Sequence, residues 1–230
     1  MIINSAAKLN KKLFLKDPES TDLGKKIIEN SIKLIDELGF ESFNFKKLAS
    51  SIDSTEASVY RYFENKNKLL FYLISWYWSW VKYNIDYKTH NLKSPIDKLK
   101  VVIKVISNSL HDDPETKYVD ESILSRIVIM ESPKAYMTKR VEEDYKDGLF
   151  EAYKELCNKM SEIILLVNPS YKTPKALSLG MLRIIHKQLY FAQHLPELTD
   201  INVLDNENHT IAAENFLEDI IFSVLKVKGK

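Results

Sequence analysis

Thr55, Glu56, Ala57, Ser58, Tyr60 and Arg61 bring two hydroxyls, a carboxylate, a phenol and a guanidinium into one short run of the 230-residue chain. At 100° per residue Ala57, Tyr60 and Arg61 share one side of a helix with Glu56 and Ser58 flanking them, while Val59, Tyr62 and Phe63 share the other. One side is fit for a core, the other for a partner. A short helix that is capped by hydroxyls and small at Ala57 can approach a surface closely, and its amide-rich N-terminus attracts phosphate. Donors and acceptors so presented suit the base edges of a DNA major groove.

Something must hold that helix, and the residues before it supply a second one. Phe45, Leu48, Ala49 and Ile52 recur at i, i+3, i+4 and i+7 and so lie on one face, with Asn44 at the N-cap position. Asp53, Ser54 and Thr55 form a turn cluster whose side chains bond nearby backbone, and Asp tolerates left-handed torsions. Two short helices and a tight turn make a helix-turn-helix, with the second helix about eight residues long and starting at Ser54 or Thr55. Upstream, Ile28, Ile32 and Ile35 mark a helix from Thr21 to Leu38 that Gly39 stops, and Phe40 and Phe43 fill the gap beyond it.

The run TEASVYRYFENKNKLL (Thr55 to Leu70), preceded by FKKLA (Phe45 to Ala49) and LGFES (Leu38 to Ser42), resembles the DNA-binding domain of TetR-type (TetR/AcrR) transcriptional regulators. The likeness covers about residues 24 to 72. It implies backbone contacts from Asn44 and Lys46, groove contacts from Thr55, Glu56, Ala57, Ser58 and Tyr60, and phosphate contacts from Tyr62 and Lys66. Arg61 joins this DNA-binding set from its place on the outward side. Three positions depart from the family pattern: Asp53 stands where Gly is usual, Ser54 where a hydrophobe is, and Glu56 where Lys, Arg or Gln is. A carboxylate at Glu56 leaves the operator sequence open, although it can accept from a cytosine amino group.

The formal charge of +1 excludes a protein that coats nucleic acid over its whole surface, so any DNA site is local. Between Asn44 and Lys68 the cations Lys46, Lys47, Arg61, Lys66 and Lys68 face the anions Asp53, Glu56 and Glu64. That excess is small, and helix N-termini and dimerisation must supplement it. The single cysteine, Cys157, makes no internal disulfide and fits a reducing, cytoplasmic setting, where it reads as an ordinary helix residue. The longest apolar-rich run, Leu69 to Val81, is too short for a membrane span.

Residues 1–21 form an N-terminal arm with Lys8, Lys11, Lys12 and Lys16, which is either a basic minor-groove reader or a solvated end with a short extra helix. Residues 22–68 form the helix-turn-helix DNA-binding domain, and residues 69–230 a C-terminal domain for ligand binding and dimerisation. The C-terminal part begins with a helix from about Asn67 to Tyr87 that is apolar over more than half its circumference, with Ser75, Ser79, Lys82 and Asp86 as a narrow polar strip. Its aromatics read two ways: as core, or, with Trp76, Trp80, Tyr83 and Tyr153, as the wall of a pocket for an apolar or aromatic molecule. Helices then open at Pro95 and Pro114, the latter ended by Pro133. A long pattern follows from Lys134 to Val167, with Gly148 as a possible bend, then a helix from Pro174 to His194 and a final one bearing Ile211, Phe216, Leu217, Ile221 and Leu225.

The last two helices are placed to pair with their copies in a second subunit, as the family resemblance also implies. No histidine follows a carboxylate by three residues, and there is no H-E-x-x-H, Walker loop or G-x-S-x-G. The expectation is therefore an all-α, dimeric, ligand-responsive regulator that is not an enzyme, needs no cofactor or metal, and binds a near-palindromic operator in double-stranded DNA. The alternative is a helical binding or scaffold module without DNA binding.

Overall fold

In the computed structural model, which describes residues 9–107, 118–201 and 208–227 (backbone only at 208–210), Thr21 starts the first long helix by accepting the Gly24 amide on its hydroxyl at 3.1 Å. This helix, α1 (Asp22–Ser42), buries Ile27, Ile28, Ile32 and Ile35 along one stripe. Gly39 breaks it with φ of 73°, a torsion that only glycine adopts without strain. The next helix, α2 (Phe45–Ser51), is capped by the Asn44 side chain, which accepts the Lys47 amide at 2.9 Å. Helix α3 (Glu56–Tyr60) follows, capped by Thr55 on the Ser58 amide at 3.2 Å. It is shorter than the expected eight residues because Arg61 and Tyr62 turn the chain toward the next helix.

Asp53 turns the chain between α2 and α3 with φ of 50°. An L side chain there costs up to about 1 kcal/mol that glycine does not incur, partly offset by the larger entropy that glycine loses on folding. Asp53→Gly is expected to raise the unfolding free energy by about 0.5 kcal/mol, read as a higher urea midpoint. A lower midpoint would mean that the Asp53 carboxylate itself stabilises the turn.

Helix α4 (Lys66–Thr89) is buried on nearly every side from Leu69 to Trp78. Its part up to Trp80 shares a compact unit, residues 1–80 with 110–153, with α1 to α3 and with α6 (Glu121–Tyr136) and α7 (Val141–Lys146). Inside this unit Trp78 Nε1 donates to the Tyr136 hydroxyl at 2.7 Å, and the Tyr77 and Ser125 hydroxyls lie 3.2 Å apart. Helix α6 lies along α1, joined to it by Arg126 on Asp36 at 2.9 Å and Lys134 on Glu41 at 3.3 Å.

Pro133 does not end α6 as expected. Its carbonyl still accepts the Met137 amide at 2.8 Å, so the helix runs on to Tyr136. The expected long helix from Lys134 to Val167 is instead divided among three: α6 ends at Tyr136, α7 runs from Val141 to Lys146, and α8 (Glu151–Val167) begins after Gly148. Gly148, at φ 73°, donates to Tyr145 O while Leu149 donates to Asp144 O. That pair of bonds terminates a helix and satisfies its last carbonyls. Pro114 lies outside the described residues.

The second compact unit comprises residues 81–109 and 154–230. Its helices are α5 (Pro95–Ser107), most of α8, α9 (Pro174–His194) and α10 (Asn208–Leu225), with α10 packed on both α5 and α9. Leu99, Val102 and Ile103 of α5, Met181 and Ile185 of α9 and Leu217 and Ile221 of α10 are buried there. On the polar strip Asp86 accepts from Lys159 at 2.7 Å and from Lys82 at 3.1 Å. Burial alone would raise the Asp86 pKa, but these two hydrogen bonds outweigh it and hold the carboxyl below its ordinary value.

On α9, desolvation of half-buried His186, with Arg183 adding to it, pushes its imidazole down to about 4 from 6.5. The unfolded chain therefore binds a proton that the folded chain refuses across that interval. The stability contributed by neutral His186 is complete above pH 6.5 and lost as pH falls toward 4. The melting temperature is expected to fall over this window, and His186→Leu to flatten the fall. An unchanged profile in the variant would place the acid sensitivity elsewhere.

Candidate nucleic-acid interface

Val59 at the centre of α3 is fully buried, which rolls the opposite face outward. Thr55, Glu56, Ala57, Tyr60 and Arg61 are exposed on that face. Ser58 is half-buried, its hydroxyl 2.9 Å from that of Thr55, so the two side chains are tied together at the helix start. Tyr60 is 47% exposed, and its ring stands edge-on to Phe45 at 5.0 Å between centroids. The phenol is thus aimed by the core residue beneath it. Lys46 is exposed on the first turn of α2, whereas Asn44 spends its side-chain oxygen on the cap.

Tyr62 and Lys66, which the family pattern assigns to phosphate, both make contacts within the protein. Tyr62 is 3% exposed, with its hydroxyl 2.7 Å from that of Thr21 and the Lys16 ammonium 5.1 Å from its ring centroid. Its helical-wheel place beside Val59 and Phe63 was the signal for burial. Lys66 is half-buried, and its ammonium donates to the carbonyls of Phe40, Glu41 and Phe43 at 3.0, 3.1 and 3.2 Å. An ammonium has three N–H groups, and all three are engaged.

From residue 9 onward the expected arm packs against the helix-turn-helix unit. Leu13 is 1% exposed, and the Leu15 amide donates to Tyr62 O at 2.7 Å. Lys12 pairs with Asp147 at 2.8 Å, and the Asn10 side-chain amide donates to Asp147 O at 2.7 Å. The Lys12 hydrogen bond lowers the Asp147 pKa. Lys8 lies outside the described residues. Sequence reasoning missed Glu19, whose Oε1 accepts from Trp76 Nε1 at 3.2 Å and the Tyr72 hydroxyl at 3.4 Å. No periodicity marks a partnership across so many residues of chain.

Trp76, Trp80, Tyr83 and Tyr153, expected to wall a ligand pocket, lie in different local surroundings. Trp76 and Trp80 are buried in the first unit, and Tyr153 stacks on Tyr136 at 5.4 Å and lies 4.8 Å from the Trp78 ring. Tyr83 lines a groove of about 440 Å³ with Asp86, Tyr87, His90 and Asn91. Burial pushes the Cys157 thiol up to about 11, which keeps it protonated and unreactive at neutral pH. Among the described residues no helix is long and apolar enough to cross a membrane, and no strand occurs.

Residues 27–73 match the profile of the bacterial regulatory proteins of the tetR family. No curated protein sequence matches the chain. Among solved structures, the fatty acid degradation regulator FadR from Bacillus halodurans is similar with a TM-score of 0.61 at 14% identity, over 89% of this chain and 96% of that one. AibR in complex with isovaleryl coenzyme A and operator DNA gives a TM-score of 0.57 at 13% identity, over 86% and 97%. The ketosteroid transcriptional regulator KstR2 of Mycobacterium tuberculosis gives 0.58 at 9%, over 95% and 97%. At these identities the likeness is one of fold.

Proposed function

We propose that this chain, which carries the DNA-binding domain of the bacterial regulatory proteins of the tetR family at residues 27–73 and has the all-helical fold of such regulators, is a dimeric, ligand-responsive transcriptional repressor. The observation that carries this reading is the outward face of α3. Ala57, Tyr60 and Arg61 stand exposed over a buried Val59, and a partner can reach all three at once. In a symmetric dimer two such faces enter successive major grooves about 34 Å apart on a near-palindromic operator.

Residues 22–68 read the DNA in this scheme, and residues 69–230 pair the subunits and take the effector. Leu179 of α9 and Ile211, Phe216 and Val224 of α10 are exposed apolar side chains on the two helices assigned to dimerisation. Their exposure supports that assignment, because a second copy would remove them from water. A fold that holds both isovaleryl coenzyme A and operator DNA in AibR supports a small-molecule effector here, one with an apolar or aromatic part. The effector favours a conformation whose recognition helices are wrongly spaced, through a coupling of about 1 to 3 kcal/mol that operator DNA must return to it in equal measure. The setting is the cytoplasm.

A gel shift tests the reading. The protein should retard DNA from upstream of its own coding sequence at lower concentration than unrelated DNA of the same length, and light scattering should give twice 26.8 kDa. Equal retardation of both DNAs would remove operator recognition, and a monomer at micromolar concentration would remove the two-groove geometry.

A further inference from the structure

Four consecutive carbonyls just past Gly39 are each taken by a lysine ammonium. Lys66 holds those of Phe40, Glu41 and Phe43, and Lys47 holds that of Ser42 at 2.8 Å. The Lys66 ammonium also lies 4.8 Å from the Phe40 ring centroid. This is the C-terminal end of α1, where unpaired carbonyls carry about half a negative charge. It is also the segment that delivers Asn44 to the N-cap of α2. From the third side Glu131 of α6, 6% exposed, accepts the Phe40 amide at 3.4 Å.

We propose that Lys66, with Lys47, is a positioning residue for DNA reading: it fixes the 40–43 turn, and through it the angle at which α2 and α3 leave α1, and does not hold a phosphate. The proposal rests on the function put forward above. Its ground is stoichiometric. With three N–H groups on three carbonyls, Lys66 could engage a phosphate only by giving up a carbonyl at the end of α1. Of the five cations between Asn44 and Lys68, two are thus turned toward the protein's own backbone.

The test compares Lys66→Met and Lys66→Arg with the wild type, at a temperature where circular dichroism shows each variant fully folded. Operator affinity is measured across a range of salt concentrations, and amide hydrogen exchange over residues 40–48 is followed without DNA. Lys66→Met should bind about tenfold more weakly at every salt concentration, with the slope of log K against log salt unchanged, and should exchange faster over 40–48. Lys66→Arg should also weaken binding, because a planar guanidinium cannot meet three converging carbonyls although it keeps the charge.

A slope shallower by about two in Lys66→Met, for two lost contacts per dimer, together with wild-type affinity in Lys66→Arg, would make Lys66 a phosphate contact and overturn the proposal. So would unchanged affinity in the folded Lys66→Met protein. If Lys66→Met fails to fold, Lys66→Arg decides by the same readouts. A wild type that binds no DNA would overturn the reading of the previous subsection, and the exchange measurement would still decide whether Lys66 fixes the turn.

Discussion

Gly24→Ala is expected to destabilise the protein by about 3 kcal/mol, even though alanine is the better helix former by roughly 1 kcal/mol. A β-carbon at this position would sit 2.1 Å from the Pro18 carbonyl oxygen, 2.6 Å from its Cα and 2.7 Å from its carbonyl carbon. All three are backbone atoms, so no side chain can rotate out of the way. Either the first turn of α1 or the Pro18–Ser20 turn has to move. Moving either strains the Thr21 cap and its contact with Tyr62, and pulls Glu19 from Trp76. The melting temperature should fall by about 10 °C for a chain of this length, as differential scanning calorimetry would read it. A fall of under about 2 °C would mean that residues 18–21 adjust without cost, and that the close approach of Gly24 is incidental.

What the sequence announced about this unit was local chemistry. Asn44 and Thr55 each cap a helix start through a side chain that reaches three residues on, Gly39 takes the positive φ that breaks α1, and all three stand where their residue types require. Tyr62 shows two sequence signals in conflict: the helical wheel turned it inward and the family pattern turned it to phosphate. The wheel agrees with the observed burial because it reports packing against Val59 and Phe63 directly. Lys66 carried no comparable local signal, since the carbonyls it holds lie 23 to 26 residues earlier.

Further along, proline and glycine were each read through one rule where two compete. Pro133 lacks an amide but keeps its carbonyl, so it can stand in the last turn of α6. Gly148 can bend a helix or end it, and the capping bonds from Gly148 and Leu149 decided for an end. The aromatic residues of α4 up to Trp80 were legible as buried, whereas Tyr87 is 71% exposed, and periodicity cannot say whether a ring faces other side chains or a groove. Trp78, held by Tyr136 and beside Tyr153, shows the first outcome, and Tyr83 at the groove shows the second.

Arg61 offers the sharpest test of the outward face, because it follows α3 directly, is exposed, and differs from Lys66 in having no carbonyl cup to fill. One charge-assisted contact to a phosphate contributes roughly 1.5 kcal/mol. A dimer makes it twice, so Arg61→Ala should weaken operator binding by about a hundredfold. The slope of log K against log salt should become shallower by about two. The folded protein should be little affected, with a melting temperature within about 2 °C of wild type, since an exposed side chain away from caps and core contributes little. The three readouts together separate the possible roles of Arg61. A large affinity loss with an unchanged salt slope, and only on the cognate sequence, would make Arg61 a reader of bases. An unchanged affinity would take it off the interface and leave Tyr60 and Glu56 to carry recognition. The same two measurements on Lys66 should give the opposite signature, a loss without a change of slope, so the pair of variants tests whether the charge near α3 is divided between holding DNA and holding the fold that presents it.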